Sequence, residues 1–357
     1  MNKTERLVKL ATDENGYQDI FKAGKKIFEG YRDCEERWNI INEYIHPNQV
    51  TVDLGSNYGY FAYKVATKDP SNLVWSIESG DLRHEVHQLM LEVNKTKNVI
   101  LSKHPLSLID LLNLNRTCET VDMFLAFSVI HYFPIEQIPS ILEAISRFSR
   151  ALIIEFPSAD EDHVANKELV DQLNPEQMLN QVYDHVKVIG SVPSPKHKNV
   201  RRNIYFCENY SVTRDRSKSY LSAKVGKSHK VELKNGWWSI DNQKRRITGL
   251  NLANLAPFNV TYPAITKLID KSAKSYYNLI QHQEGMVTDI HPRNILVGAK
   301  ELYIIDFKEN LGKKIYGISW KQYKDKCLNA DEETIKKDLE FKFTTGDTRA
   351  FLKEDTL

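Results

Sequence analysis

The chain has 357 residues, enough for two domains, and its 49 Lys plus Arg against 47 Asp plus Glu leave a net charge of +2, which argues against a dedicated nucleic-acid binder with its strong basic excess. Cys34, Cys118, Cys207 and Cys327 are scattered, form no C-x-x-C pair and match no zinc spacing, so they read as free thiols of a reducing compartment. Met1–Lys9 is charged and lacks an apolar signal core, and no apolar run reaches the length of a membrane span, so the expectation is a cytoplasmic mixed α/β protein.

Residues 1–30 are charged and read as a mobile lead-in with a short ordered part. From Arg32 to Ile45, Cys34, Trp38, Ile41 and Ile45 recur at helical spacing until His46-Pro47-Asn48 stops the pattern. A rhythm of strands and helices follows: strand Val50–Leu54, helix Tyr60–Thr67, strand Leu73–Ile77, helix Leu82–Asn94, strand Val99–Leu101, strand Val121–Phe127. A helix then carries Ile135, Ile138, Leu142, Ile145 and Phe148 on one face, and Ala151–Phe156 is another strand. Unbroken apolar strands alternating with amphipathic helices predict a parallel sheet covered on both faces. Val186–Ile189 and Asn203–Cys207, on either side of a Pro- and Lys-rich loop, predict a closing hairpin that ends the domain near Glu208.

Beyond Glu208 the chain turns polar. Ile265, Leu268, Ile269, Tyr276 and Leu279 mark a helix, Ile295–Val297 and Leu302–Ile305 two strands, and the tail from Lys321 reads as charged and without evident structure. The boundaries expected are a lead-in over 1–30, a first domain over 31–208, a second over 209–320 and a tail over 321–357.

The first chemical motif is Val52-Asp53-Leu54-Gly55-Ser56-Asn57-Tyr58-Gly59-Tyr60-Phe61, at a strand-to-helix turn. Glycine belongs where backbone turns tightly or lies against a ligand. The dinucleotide fingerprint is G-x-G-x-x-G; here the spacing is G-x-x-x-G, which favours a nucleoside ligand without a diphosphate. The next strand ends in Glu78, placed to accept hydrogen bonds from ribose hydroxyls. After the third strand Ser102-Lys103-His104 stands where an acidic adenine contact is expected.

Order, spacing and acidic residues together resemble motifs I and II of class I S-adenosylmethionine-dependent methyltransferases, over about residues 31 to 208. The resemblance implies a Rossmann-like sheet and a cofactor site built from Asp53, Gly55, Ser56, Asn57, Gly59, Tyr60, Phe61, Glu78 and Ser128. Asp53 would lie near the methionine amino group. The segment Phe127-Ser128-Val129-Ile130-His131-Tyr132-Phe133 would border the methyl group and the acceptor, with His131 either a general base or a structural cap of the strand end. Upstream, Gly30-Tyr31-Arg32-Asp33-Cys34-Glu35-Glu36-Arg37 is similar to the helix that precedes motif I in methyltransferases of glycans and glycan phosphates. Arg32 and Arg37 are either substrate-anion ligands there or part of a solvated face.

The second motif is Thr288-Asp289-Ile290-His291-Pro292-Arg293-Asn294, followed after a turn by Asp306-Phe307. Phosphoryl transfer needs a carboxylate that orients the acceptor hydroxyl, and an Asn and a later Asp that hold Mg²⁺ on ATP. Asp289, Asn294 and Asp306 have that spacing, and Lys224 is a candidate nucleotide-binding lysine. The pattern resembles aminoglycoside-type phosphotransferases more than protein kinases. Lys308 replaces the Gly of Asp-Phe-Gly, and the stretch Asn209–Gly285 is short for an N-lobe with its Gly-rich loop, so a smaller α+β domain like a kinase C-lobe, active or inactive, is expected.

Together the halves are similar to bifunctional methyltransferase–kinases that cap O-antigen polysaccharides. The resemblance implies S-adenosylmethionine, with ATP and Mg²⁺, a sugar, glycan or related small acceptor modified on a hydroxyl or phosphate, and peripheral association with a membrane-bound glycan assembly. A nucleic-acid methyltransferase is the alternative, resting on the basic stretch Lys196–Arg202 and on Lys244-Arg245-Arg246. An inactive, binding-only second domain is another.

Overall fold

The computed structural model describes residues 1–117, 121–158, 160–161, 174–194, 199–209, 219–224, 227–234, 237–240, 243–245, 249–255, 260, 262–282, 287–288, 290–299, 302–304, 307–308 and 320–345. The chain divides into two compact units, Met1–Arg116 with Thr120–Val212, and Thr117–Glu119 with Thr213–Leu357.

The first unit begins with α1 (Lys3–Asp13) and a hairpin of β1 (Ile20–Lys22) and β2 (Lys25–Phe28). The lead-in expected here is built structure instead. Asn2 and Glu5 close a capping box at the start of α1, and Leu7 and Ala11 are fully buried. The charge that made the segment read as loose belongs to the outer face of an amphipathic helix. Ile20 and Phe21 join the same core as Leu89 and Met90, and Asn94 ties the hairpin down, donating to the Phe21 carbonyl at 2.8 Å and accepting from Ala23 N at 2.9 Å.

After α2 (Cys34–Ile41) come β3 (Val50–Leu54), α3 (Tyr60–Lys68), β4 (Leu73–Ile77), α4 (Asp81–Asn94), β5 (Val99–Ser102), α5 (Leu108–Thr117), β6 (Val121–Phe127), α6 (Ile138–Phe148), β7 (Ser149–Glu155), α7 (Pro175–Asn180), β8 (His185–Pro193) and β9 (Arg201–Glu208). The sheet order is β5-β4-β3-β6-β7-β9-β8. Its first five strands are parallel, and β9 and β8 close it as an antiparallel hairpin. This is the Rossmann-like methyltransferase sheet. Every residue of β3, β4 and β5 is buried, as a sheet covered on both faces requires. On α6, Ile138, Ile141, Leu142, Ile145 and Phe148 face the core, while Glu143 and Arg147 pair on the outer side. The strand order reverses between β4–β3 and β6, and a ligand crevice opens beyond the carboxyl ends of strands at such a switch point.

The second unit contains more sheet than its polar sequence suggests. Strands β10 (Ser219–Lys224), β11 (Lys227–Lys234), β12 (Trp237–Ile240) and β13 (Gln243–Arg245) form an antiparallel meander. β14 (Leu250–Asn251), α8 (Leu252–Leu255), the long α9 (Tyr262–His282), β15 (Val287–Thr288), β16 (Ile295–Val297), β17 (Leu302–Ile304) and β18 (Phe307–Lys308) follow. The meander continues into β17, β16 and β14 as one sheet. The tail read as unstructured contains α10 (Trp320–Asn329) and α11 (Glu332–Thr345), with Tyr323, Cys327, Ile335 and Leu339 fully buried. Both helices hide a narrow apolar stripe under many charges, and that composition masks them.

The tightest local constraint lies at the start of α3. Gly59 has φ +84°, and a Cβ placed there would stand 2.2 Å from His87 Nε2 of α4. Gly24 shares a left-handed φ of +78° but has open space around it. Gly59→Ala is expected to cost about 2–4 kcal/mol by chemical denaturation, backbone strain plus overpacking. Gly24→Ala is expected to cost about 1 kcal/mol, the backbone part alone. Equal losses in the two variants would remove the His87 contact as the cause.

Candidate active site

The cradle forms where β3 runs into α3. Gly55 N and Ser56 N donate to the Ile77 carbonyl at 2.9 and 3.1 Å, which binds the turn to the end of β4. Glu78, 4% exposed, receives Asn57 N on one carboxylate oxygen at 2.8 Å and Gly80 N on the other at 2.7 Å. A carboxylate has about four lone-pair sites, so two remain for further donors. Asn57 has φ +56°. It takes the left-handed backbone that a middle glycine would supply, and Asn is among the few side chains that tolerate it. The turn therefore keeps a glycine-like path despite the missing glycine.

Asp53, on β3, is 2% exposed and its Oδ2 has no partner. Burial first, then the neighbouring Glu78 charge, push its carboxyl up to about 7. Several other residues expected to line this cradle have their side chains committed elsewhere. Ser56 Oγ lies 3.2 Å from His87 Nδ1, Tyr60 OH donates to Glu35, and Phe61 stacks on Phe127 at 4.4 Å between centroids. Gly55 is pressed by protein, since a Cβ there would fall 2.7 Å from Val129 Cγ2. These positions shape the turn, and among its side chains Asp53 and Glu78 keep spare hydrogen-bonding capacity.

A buried ionic cluster occupies the ends of β6 and β7. Glu155, fully buried, accepts from Arg37 Nε at 2.6 Å, from a second Arg37 nitrogen at 3.2 Å, and from Arg32 at 3.3 Å and Arg202 at 3.0 Å. Arg202 also forks onto Glu161 at 2.6 and 2.5 Å, and Ser194 Oγ donates to Glu161 at 2.6 Å. Ser128, in the left-handed region at φ +51°, has a saturated hydroxyl. It donates to Glu155 at 2.7 Å and accepts from Arg32 at 2.9 Å and Arg202 at 2.7 Å. Burial alone would raise the Glu155 carboxyl, but Arg37, Arg32 and Arg202 hold it well below the usual carboxylate range. Among the described residues, three guanidinium groups face two carboxylates, a balance of one positive charge.

Arg37 corrects one expectation. Its remaining donors go to the Asp33 and Pro193 carbonyls at 2.7 and 3.1 Å and it is fully buried, so it is a structural ion rather than a substrate ligand. Arg32 differs. It bonds Tyr17 OH at 2.9 Å, Ser128 and Glu155, yet its Nε is buried without a partner, and its charge is felt by Asp53. His131 sits on a 3-10 turn, Ile130–Tyr132, with Nδ1 buried and unpartnered. Burial first, then Arg202, lower it to about 4, so the ring is neutral at physiological pH. Tyr17, Glu155, Glu161 and Arg202 were not singled out by sequence. Glu155 carried a signal, a carboxylate inside an apolar strand. Arg202 misled, because a basic run reads as a solvated or nucleic-acid face whereas this residue is 2% exposed.

In the second unit, Asn294 ends a 3-10 turn, Pro292–Asn294, with its N–H on the His291 carbonyl at 2.9 Å. β15 and β18 pair antiparallel, Thr288 opposite Phe307 and Val287 opposite Lys308. Thr288 precedes Asp289 in the chain and Phe307 follows Asp306, so backbone pairing joins the two motif segments. Asp289 and Asp306 themselves, and the Lys224 side chain, lie outside the described residues.

Glu155→Gln should destabilise the first unit by about 3–5 kcal/mol, because it leaves buried guanidinium groups without a counter-charge. Chemical denaturation of the full chain checks this. A loss under about 1 kcal/mol, the level of an exposed pair, would mean the cluster is solvated.

No protein-family model and no curated protein matches the chain. Solved structures similar to it include the bifunctional kinase-methyltransferase WbdD, at 16% identity over 87% of this chain and 84% of that one, with a TM-score of 0.48. The N-terminal domain of EvdMO1 with SAH bound aligns at 15% identity over 58% of this chain and 98% of that one, with a TM-score of 0.43. Magnesium protoporphyrin IX methyltransferase from Synechocystis with bound SAM aligns at 15% over 50% and 77%, with a TM-score of 0.36. The strand order, independent of these likenesses, carries the fold assignment.

Proposed function

We propose that the first unit is an S-adenosylmethionine-dependent methyltransferase acting on an oxygen of a small acceptor, a sugar hydroxyl or a sugar phosphate. The observation that carries this is a pair of buried, unpartnered atoms of opposite charge character: Asp53 Oδ2, on the strand that enters the Gly55–Gly59 turn, and Nε of Arg32, whose charge Asp53 feels. They suit an ammonium and a carboxylate respectively, the two ends of an amino acid, while Glu78 suits ribose hydroxyls. S-adenosylmethionine is such a molecule, a nucleoside joined to an amino acid. The sulfonium supplies an activated methyl carbon, and the acceptor oxygen displaces the thioether in line, so the residues' main task is positioning.

The excess positive charge of the arginine cluster favours an acceptor that brings a negative charge. His131 accepts a proton from a hydroxyl acceptor, but a group titrating near 4 is a weak base for that step. A phosphate oxygen needs no such base. The nucleic-acid reading is the weaker one, because Arg202 of its basic run is internal.

The second unit is proposed as a phosphotransferase that acts on the same acceptor with ATP and Mg²⁺, Asp289 orienting the hydroxyl and Asn294 with Asp306 holding the metal. The pairing of the strands beside both motif segments supports it. Incubation of a panel of sugars and sugar phosphates with methyl-labelled S-adenosylmethionine, with and without Mg·ATP, tests the whole reading. The expected outcome is label on a phosphosugar, or on a sugar only when ATP is present. Label on nucleic acid and on no sugar would overturn it.

Two binding experiments test the cofactor end. Arg32→Met should weaken S-adenosylhomocysteine by about 1.5–3 kcal/mol, a lost charge-assisted hydrogen bond, and leave methylthioadenosine, which lacks the amino-acid part, nearly unaffected. Equal losses for both ligands would place Arg32 away from the carboxylate. The second concerns pH. Protonated Asp53 is neutral and cannot pair with an ammonium group, so affinity for S-adenosylhomocysteine should rise as pH passes upward through about 7, with proton release on binding below that point. Calorimetry in buffers of different ionisation enthalpy reads both, and a flat affinity from pH 6 to about 8 would contradict the Asp53 role.

A further inference from the structure

The second unit contains a charged pair that methyl transfer does not use. Lys342 and Asp338 lie one turn apart on α11, each 3% exposed, with Lys342 Nζ 2.7 Å from Asp338 Oδ2. Removing two charges from water is costly, and apolar residues of the same size would hold a helix in place as well or better. The pair acts on the loop that follows Asp289. Lys342 Nζ donates to the Ile290 carbonyl at 2.6 Å.

The rest of that loop is tethered by other elements. Tyr323 OH of α10 accepts from Ile290 N at 3.3 Å, and Tyr276 OH of α9 lies 3.5 Å from both the N and the O of His291. Asn251 Nδ2 of β14 donates to the Arg293 carbonyl at 2.6 Å, and His291 Nδ1 accepts from Arg293 N at 2.9 Å. Side chains from β14, α9, α10 and α11 thus converge on five residues. A loop that only joined two strands would not need a buried ammonium group on its backbone.

We propose that Lys342, oriented by Asp338, is a positioning residue that sets the Ile290–Asn294 loop in the shape that accepts a Mg²⁺-bound nucleoside triphosphate. This rests on the phosphotransferase reading of the second unit. The tail helices are then part of the nucleotide site's support, although the sequence around them carries no kinase motif.

The test uses the full chain and Mg·ATP. Lys342→Met alone would leave the Asp338 carboxylate buried without the Lys342 ammonium, so the variant is Asp338→Asn with Lys342→Met. Expected results are a melting temperature near wild type without nucleotide, at least about tenfold faster amide hydrogen exchange at Ile290, His291, Arg293 and Asn294, and loss of the melting-temperature rise that Mg·ATP gives the wild type. Wild-type exchange in the double variant overturns the proposal. So does faster exchange with an intact Mg·ATP response, which would make the pair merely structural. A wild type that gives no Mg·ATP response overturns the phosphotransferase reading itself, and the exchange comparison then decides separately whether Lys342 holds the loop. Should the double variant unfold, Tyr323→Phe removes one tether and no charge. It should give both changes at smaller size, and wild-type behaviour in it overturns the proposal.

Discussion

The Glu155 carboxylate, sealed at the end of β7 among Arg32, Arg37 and Arg202, is the interaction on which the first unit's site depends. A lone carboxylate could not stay ionised there, and three lone guanidinium groups could not stay buried. Each makes the other possible, and the geometry is fixed as a result. Arg37 comes from α2, Arg32 from the segment before it, and Arg202 from β9. One carboxylate therefore ties the N-terminal layer and the closing hairpin to the central strands. Ser128 is held in a left-handed conformation by the same groups, and Val129 follows it onto Gly55. The packing of Val129 on the β3–α3 turn and the positive balance at the ends of β6 and β7 both trace to this cluster.

The cluster also divides labour among residues that look alike. Each of the three Arg37 nitrogens has a protein acceptor. Arg32 keeps one buried donor unused, and its charge reaches Asp53, a carboxyl that burial raises to about 7. Unused polar capacity in a buried place is costly unless a ligand meets it. That contrast sets the saturated Arg37 apart from Arg32, where the sequence offered both equally. In the second unit, buried Lys342 divides its ammonium between the Asp338 carboxylate and the Ile290 carbonyl.

The parallel sheet was legible because its strands are apolar on both faces and its helices amphipathic, a pattern that composition alone preserves. Gly55, Gly59 and Glu78 were legible for the same reason, since backbone at a tight turn and a carboxylate at a strand end have few substitutes. Asn57 was not, because its left-handed backbone replaces a glycine without any trace in the spacing. The partners of Ser56, Tyr60 and Phe61 lie 31, 25 and 66 residues away in the chain, at His87, Glu35 and Phe127, and no local rule reaches so far. α1, α10 and α11 were hidden by exposed charge, and the meander of the second unit by the polar composition of its strands. Arg202 shows the opposite failure, a residue in a charged run whose counter-ions, Glu155 and Glu161, come from elsewhere in the fold.

The central claim is that the β3–α3 turn holds a nucleoside carrying an amino acid and no diphosphate. Calorimetric titration of the unmodified chain with S-adenosylhomocysteine, and in parallel with NAD⁺, tests it most directly. The account predicts saturable binding of S-adenosylhomocysteine at one site per chain and no binding of NAD⁺. Saturation by NAD⁺, or no heat with S-adenosylhomocysteine at any pH above the Asp53 titration, would contradict it.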